Sequence, residues 1–236
     1  FSANCNYPAP VVHIPDGDFK VCLLSNPMIN TNGDAHIQVP EALAFTGAIN
    51  CSSLNIADLT GIQAFVNLTT LDCSTNNLNS LNVSQNTSLT ALNCSVNNLT
   101  NLDVTLNTSL TSLNCSVNNL GSLDLTQNTS LTVLDCSSAQ VTNLNVQNGN
   151  NTNVTVFNAI NNPSLACINV DNDLYSTTNW TNLDAVASFS TNCSPAVVII
   201  PDANLKSYLV SYNLLNTNGD GEIQYSEARY FNSAID

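Results

Sequence analysis

A cysteine returns at near-constant intervals through the middle of this chain. Cys51, Cys73, Cys94, Cys115 and Cys136 are separated by 22, 21, 21 and 21 residues. The units between them are near copies: CSTNNLNSLNVSQNTSLTALN from Cys73, CSVNNLTNLDVTLNTSLTSLN from Cys94 and CSVNNLGSLDLTQNTSLTVLD from Cys115. A unit this short cannot bury an apolar face alone, so such units must stack and be capped. Within each, L-x-x-L-x-(C/V/L)-x-x-N occurs twice. Leu68, Leu71, Cys73 and Asn76 form one half, and Leu78, Leu81, Val83 and Asn86 the other. An L-x-L or L-x-C triplet turns alternate side chains inward, as a short strand does. The Asn three residues later suits a turn, because its amide bonds nearby backbone. Stacking then aligns identical residues in columns about 4.8 Å apart. Leu and Cys columns fill the core. Two asparagine columns, Asn76, Asn97 and Asn118 beside Asn86, Asn107 and Asn128, are expected to satisfy buried backbone at the corners.

These units resemble the nested class of leucine-rich repeat, L-x-x-L-x-C-x-x-N-x-L-x-x-L-D-L-x-x-N, over residues 51–166. That class is common in secreted proteins of Bacteroidetes-type bacteria. The resemblance implies a leucine-rich-repeat solenoid of short parallel β-strands, with little helix in the repeats and small helical caps, at an extracellular bacterial surface. It implies no ligand. An NGNNTN insertion at Asn148–Asn153 disturbs the register. Residues 167–193 resemble the C-terminal cap of the same family, which implies a disulfide between Cys167 and Cys193 in an extracellular setting. All five repeat cysteines are expected to be reduced core residues. They stand where Leu would, and free Cys packs as a small hydrophobe. Neighbours in the column also point the same way, which suits disulfide geometry poorly.

A longer period is superimposed. IPDGDFKVCLLSNPMINTNGDAHIQVPEA begins at Ile14, and its near copy IPDANLKSYLVSYNLLNTNGDGEIQYSEA begins at Ile200, an offset of 186 residues. FSANC at Phe1–Cys5 likewise matches FSTNC at Phe189–Cys193. The expected organisation is therefore the tail of a preceding module (1–5), an N-terminal cap (6–50), the repeats (51–166), a C-terminal cap (167–193) and the N-terminal cap of a next module (194–236). Phe1 is not an initiator residue, so the natural chain is expected to begin upstream. Cys5 then pairs either with an upstream cysteine or with Cys22, whose counterpart in the second copy is Tyr208.

Each copied segment carries a twelve-residue loop similar to an EF-hand or dockerin calcium loop, with oxygens at positions 1, 3 and 5 and Glu at 12. In the second loop, Asn216, Asn218, Asp220 and Glu227 are the candidate side-chain ligands, with the Glu222 carbonyl at position 7. In the first loop, Asn30, Asn32, Asp34 and Glu41 take those places, with the His36 carbonyl. Asn at position 1 lowers the ligand charge, and Ala35 replaces the glycine of position 6 in the first loop. A metal-free turn held by Asx bonding is the competing reading.

Composition narrows the function. Net charge is -14 with three Lys and Arg in total, so no basic patch exists for phosphate or an anionic membrane. No run of apolar residues is long enough to span a bilayer. Two histidines, no Gly-rich phosphate loop and no nucleophile–base pair argue against an enzyme. Asp103 and Asp124 occupy equivalent repeat positions and read as a solvated column. The outward positions of the first strand are small, and Cys73–Asp135 contains no aromatic residue, which disfavours glycan recognition there. Trp180 reads as a core plug. The function expected is an extracellular structural or adhesive module of a tandem-repeat protein or fibre, partnered by neighbouring copies of itself. A receptor binding a protein or glycan through its repeat face is the alternative.

Overall fold

Alternation of buried Leu with outward small residues makes each repeat pass once through a short strand. The computed structural model describes residues 9–193, 200–211 and 223. It forms two units, residues 1–191 and 192–236. In the first, helices α1 (Gly17–Leu24) and α2 (Val39–Ala44) precede β1 (Gly47–Asn50), β2 (Leu68–Asp72), β3 (Ala91–Asn93), β4 (Ser112–Asn114), β5 (Gly121–Asp124), β6 (Val133–Asp135), β7 (Val141–Asn145), β8 (Val156–Ala159) and β9 (Cys167–Asn169). Helix α3 (Asp173–Asn179), β10 (Asn182–Leu183) and β11 (Ser188–Ser190) complete it, and α4 (Ala203–Val210) lies in the second unit.

All strand pairs are parallel. β1, β2, β3, β4, β6, β8 and β10 line up in a seven-stranded sheet, and β5, β7, β9 and β11 form a second, four-stranded sheet. This is the leucine-rich-repeat solenoid. Register follows the repeat: Leu71 pairs with Leu92, Leu92 with Leu113, Leu113 with Leu134 and Leu134 with Phe157. The insertion at Asn148–Asn153 is absorbed by a 3-10 turn at Asn151–Asn153, outside both sheets, so Val133 still faces Val156. Both sheets continue past residue 166 through β9, β10 and β11, so the C-terminal segment adds coils as well as closing the stack.

Between the sheets lies one apolar cluster of stacked columns, such as Leu78, Leu99, Leu120 and Val141. Its C-terminal end is plugged by Trp180, which is buried and stacks on Phe157 at 4.3 Å between centroids, with Phe189 edge-on to both. Aromatic contacts of this kind add about 0.5–1.5 kcal/mol beyond burial. The N-terminal end is covered by α1, whose Phe19 and Leu23 are fully buried.

The cysteine column is not uniform. Cys73, Cys94, Cys115 and Cys136 are free, buried thiols, but Cys51 forms a disulfide with Cys22 of α1. The expectation that Cys51 is a reduced core residue, and that Cys22 is a candidate for Cys5, is corrected here. Cys51 is the first of the column and has no earlier repeat cysteine beneath it. α1 fills that place and brings the two Cα atoms to 5.9 Å, within bonding reach. Cys167 and Cys193 are each disulfide-bonded as well. Cys5 lies outside the described residues.

Candidate functional site

Three features carry the chemistry of this chain: the sheet face, the asparagine and cysteine columns behind it, and the loop in the N-terminal cap.

Outward residues of the seven-stranded sheet form two rows, Thr70, Ala91, Ser112, Val133 and Val156, and Asp72, Asn93, Asn114, Asp135 and Asn158. All of these but Asn158 line a shallow depression of about 380 Å³. The second row is occupied with its own turns. Asp72, Asn93, Asn114 and Asp135 each accept the N–H and hydroxyl of the serine two residues on, with hydroxyl distances of 2.6, 2.8, 2.7 and 2.7 Å. A third row, Thr69, Thr90, Thr111, Thr132 and Thr155, donates its hydroxyls to backbone carbonyls of the preceding coil, as Thr90 does to Thr69 at 3.0 Å. The face is thus hydroxyl- and amide-rich, with apolar surface at Val133 and Val156. The hydroxyls of those serines and of the third-row threonines are engaged in these turn and coil-to-coil bonds. The threonine row escaped the sequence reading because T-S-L-T appears only as loop composition until the coils are stacked.

Behind the face, each asparagine of the first column replaces missing backbone partners in both directions. Asn97 donates to the carbonyls of Cys73, Cys94 and Ser95 and accepts from the Leu78 N–H at 3.0 Å. Asn76 and Asn118 repeat the pattern. The second column does half of this. Asn86, Asn107 and Asn128 are fully buried and each donates to two carbonyls, yet each Oδ1 lacks a partner. Their burial also removes them as glycan acceptors. Asp103 is exposed and bonds Thr105, which lowers its carboxyl.

Burial pushes every ladder thiol up. The Cys94 and Cys136 thiols rise to about 12, and those of Cys73 and Cys115 well above their ordinary value. Only a thiolate is nucleophilic or binds metal, so these thiols are inert packing groups. Each Sγ lies 3.5 to 3.6 Å from a carbonyl of the next coil.

In the cap loop, Asn32 Oδ1 accepts the Asp34 N–H at 2.9 Å and Asp34 Oδ1 accepts the His36 N–H at 2.7 Å. The Asp34 carboxyl is lowered by that His36 bond and by the Gln38 and Asn32 amides. Glu41 closes the loop: one oxygen accepts from the Thr31 N–H and hydroxyl and the Asn32 N–H, the other from the Gln38 N–H. Burial raises the Glu41 carboxyl, but those donors outweigh it and hold it low. Asn30 alone offers a buried oxygen with no partner, Oδ1. A divalent ion at this loop would need Asp34 and Glu41, whose oxygens here accept N–H, amide and hydroxyl donors of the loop itself. These bonds are those of an Asx-held turn. Among the described residues no three His, Cys, Asp or Glu side chains converge as a metal-ligand group. The second loop, Asn216, Asn218, Asp220, Glu222 and Glu227, lies outside the described residues. No helix among those described is long and apolar enough to cross a membrane.

No protein-family model matches the chain. Internalin J of Listeria monocytogenes is 45% identical over 47 residues, which is 20% of this chain and 5% of that protein. The solved functional domain of InlJ from the same organism, described as including a cysteine ladder, is 34% identical with a TM-score of 0.55 over 66% of this chain. This chain spans 36% of that domain's length. Internalin C2 of L. monocytogenes shares the fold at 17% identity, with a TM-score of 0.56 over 80% of this chain and 93% of its own. The chain is therefore a leucine-rich-repeat solenoid similar to the internalins of Listeria.

Proposed function

We propose that this chain is a non-enzymatic, extracellular module of a bacterial surface protein, with a structural and adhesive role, joined in tandem to copies of itself. The observation that carries the reading is the recurrence of the N-terminal cap sequence 186 residues on, at Ile14 and Ile200. A chemically quiet face and a backbone closed by stacked hydrogen bonds suit a load-bearing rod. The pairing of Cys167 with Cys193 and a Bacteroidetes-type source belong to the same proposal. Calcium enters it through the loop at Asn216–Glu227, which keeps glycine at position 6, rather than through Asn30–Glu41.

Small-angle X-ray scattering from two joined modules, with millimolar calcium and then with chelator, tests this. A stiff rod supports the structural role, and loosening on chelation supports calcium at the joint. Modules that tumble independently in both conditions overturn it. The second reading is binding of a protein ligand through the sheet face. It is favoured by Val133 and the 48%-exposed Val156, which interrupt an otherwise small and polar surface, and by the similarity to internalins. Under that reading Val156→Asp abolishes capture of the ligand while leaving the solenoid folded.

A further inference from the structure

The two cap copies are alike in backbone and unlike in burial. α1 and α4 are both eight-residue helices. Asp16 caps the first by accepting the Phe19 N–H at 3.0 Å, and Asp202, its equivalent, caps the second by accepting the Leu205 N–H at 2.8 Å. Each helix ends on a serine with φ -73 and ψ -12. The Ser25 hydroxyl donates to the Cys22 carbonyl at 2.8 Å and the Ser211 hydroxyl to that of Tyr208 at 2.6 Å. One local sequence builds one helix twice.

Their apolar faces differ. Phe19 and Leu23 are wholly buried in the cluster that contains Ile56, Leu59 and Ile62 of the first coil. The second Asp16 oxygen reaches that coil as well, accepting the N–H groups of Ala57 at 2.9 Å and Asp58 at 3.2 Å. In α4 the equivalent Leu205 is 49% exposed and no residue is buried. A helix this short is not stable without cover for its apolar face. The first copy shows what that cover is: the opening coil of a leucine-rich array.

We propose that α4 is the cap of a second leucine-rich array. Leu205 and Leu209 seat on that array's opening coil, as Phe19 and Leu23 seat on the first. Asp202 clamps two N–H groups of the coil, as Asp16 does. The attachment is held by packing and that clamp without a covalent tie at this place, because Tyr208 stands where Cys22 forms its disulfide. The first cap is therefore covalently tied to its array, and the second is the one that lets go first under load. This inference rests on the tandem reading above.

A chain extended at Asp236 by a second copy of residues 51–193 tests it, since Asp236 corresponds to Asn50 at the 186-residue offset. In that chain, amide exchange across α4 slows by at least ~10-fold relative to the unextended protein, because the helix gains a folded partner. Leu205→Asp removes the slowing while the appended coils still unfold cooperatively. Tyr208→Cys forms a disulfide with the appended copy of Cys51, read by mass after thiol alkylation. Appended coils that fold while α4 exchanges as before, with no disulfide from Tyr208→Cys, overturn the proposal. So do appended coils that fold only when residues 9–50 replace residues 195–236 as their cap. Scattering reads the joint between modules, whereas exchange and cross-linking read the seat of α4, so the two readings fail separately.

Discussion

The first coil and the regular coils behind it share a cysteine column but hold it by different means. In the regular coils each thiol faces a carbonyl of the next coil, and the buried leucines stack in columns. Each contact is small and recurs with the period. The first coil has no earlier copy beneath it. Its closure depends on single contacts: the Cys22–Cys51 disulfide, the Asp16 clamp, and the passage of Gly61 against the segment that precedes α1. Gly61 has φ 108, and a Cβ there would lie 2.8 Å from both the His13 carbonyl oxygen and Ile14 Cγ1. The difference teaches that a repeat protein is strong by iteration in its body and by individual contacts at its ends.

The largest effect should follow from removing the disulfide. Cys22 and Cys51 are 29 residues apart, and freeing a loop of that size costs about 3–4 kcal/mol in unfolded-state entropy. Cys22→Ser with Cys51→Ala should lower the urea midpoint and expose α1 to exchange before the regular coils. A uniform loss of protection along the solenoid would mean that the end and the body unfold as one unit. Gly61→Ala comes next, at about 2–4 kcal/mol from positive-φ strain and the backbone clash. Asn107→Ala tests the body instead. It strips hydrogen bonds from the buried carbonyls of Val83 and Asn86, a cost of about 2–3 kcal/mol.

Much of this contrast was legible in the sequence, and unevenly so. The solenoid, its parallel strands, the core columns and the first asparagine column follow from periodicity, because each repeat's neighbour is its own near copy. The Cys51 disulfide was not legible, since Cys51 looks like every other cysteine of the column. Only the packing of α1 over the missing coil singles it out. Nor does the N-T-N-G-D composition of the cap loop distinguish an ion-binding loop from a self-bonded one. That choice turns on where the Glu41 oxygens point. The half-satisfied Asn86, Asn107 and Asn128 likewise share a motif with the fully satisfied column, and their difference appears only in three dimensions.

The free thiols give the body a pH dependence that the disulfide-closed end lacks. Folding raises the Cys94 and Cys136 thiols from 9.0 to about 12. Above pH 9 the unfolded chain releases these protons while the folded chain keeps them, so stability falls as pH rises. Their contribution is complete below pH 9 and is lost progressively toward 12, at about 1.4 kcal/mol per unit for each thiol. Urea midpoints measured from pH 8 to 10.5 should therefore drop, and Cys94→Ala with Cys136→Ala should flatten the slope. An unchanged slope in that double variant would show that the thiols titrate alike in both states.

The smallest effect tests whether the body is optimised for folding alone. Val96 and Val117 occupy left-handed turns at φ 54 and 53, where their neighbours in the row are Thr75, Ser138 and Asn161. A β-branched residue is strained in that region, which asparagine and glycine enter more readily. Both valines are also exposed, at 42% and 47%, so little burial offsets the strain. Val96→Asn and Val117→Asn should each raise stability by about 0.5–1 kcal/mol, a gain of a few degrees in melting temperature. Destabilisation would show that the stacked valines support one another across the coils. Stabilisation would mean that the strained pair is kept for something other than folding, which is the behaviour expected of a surface that meets a partner.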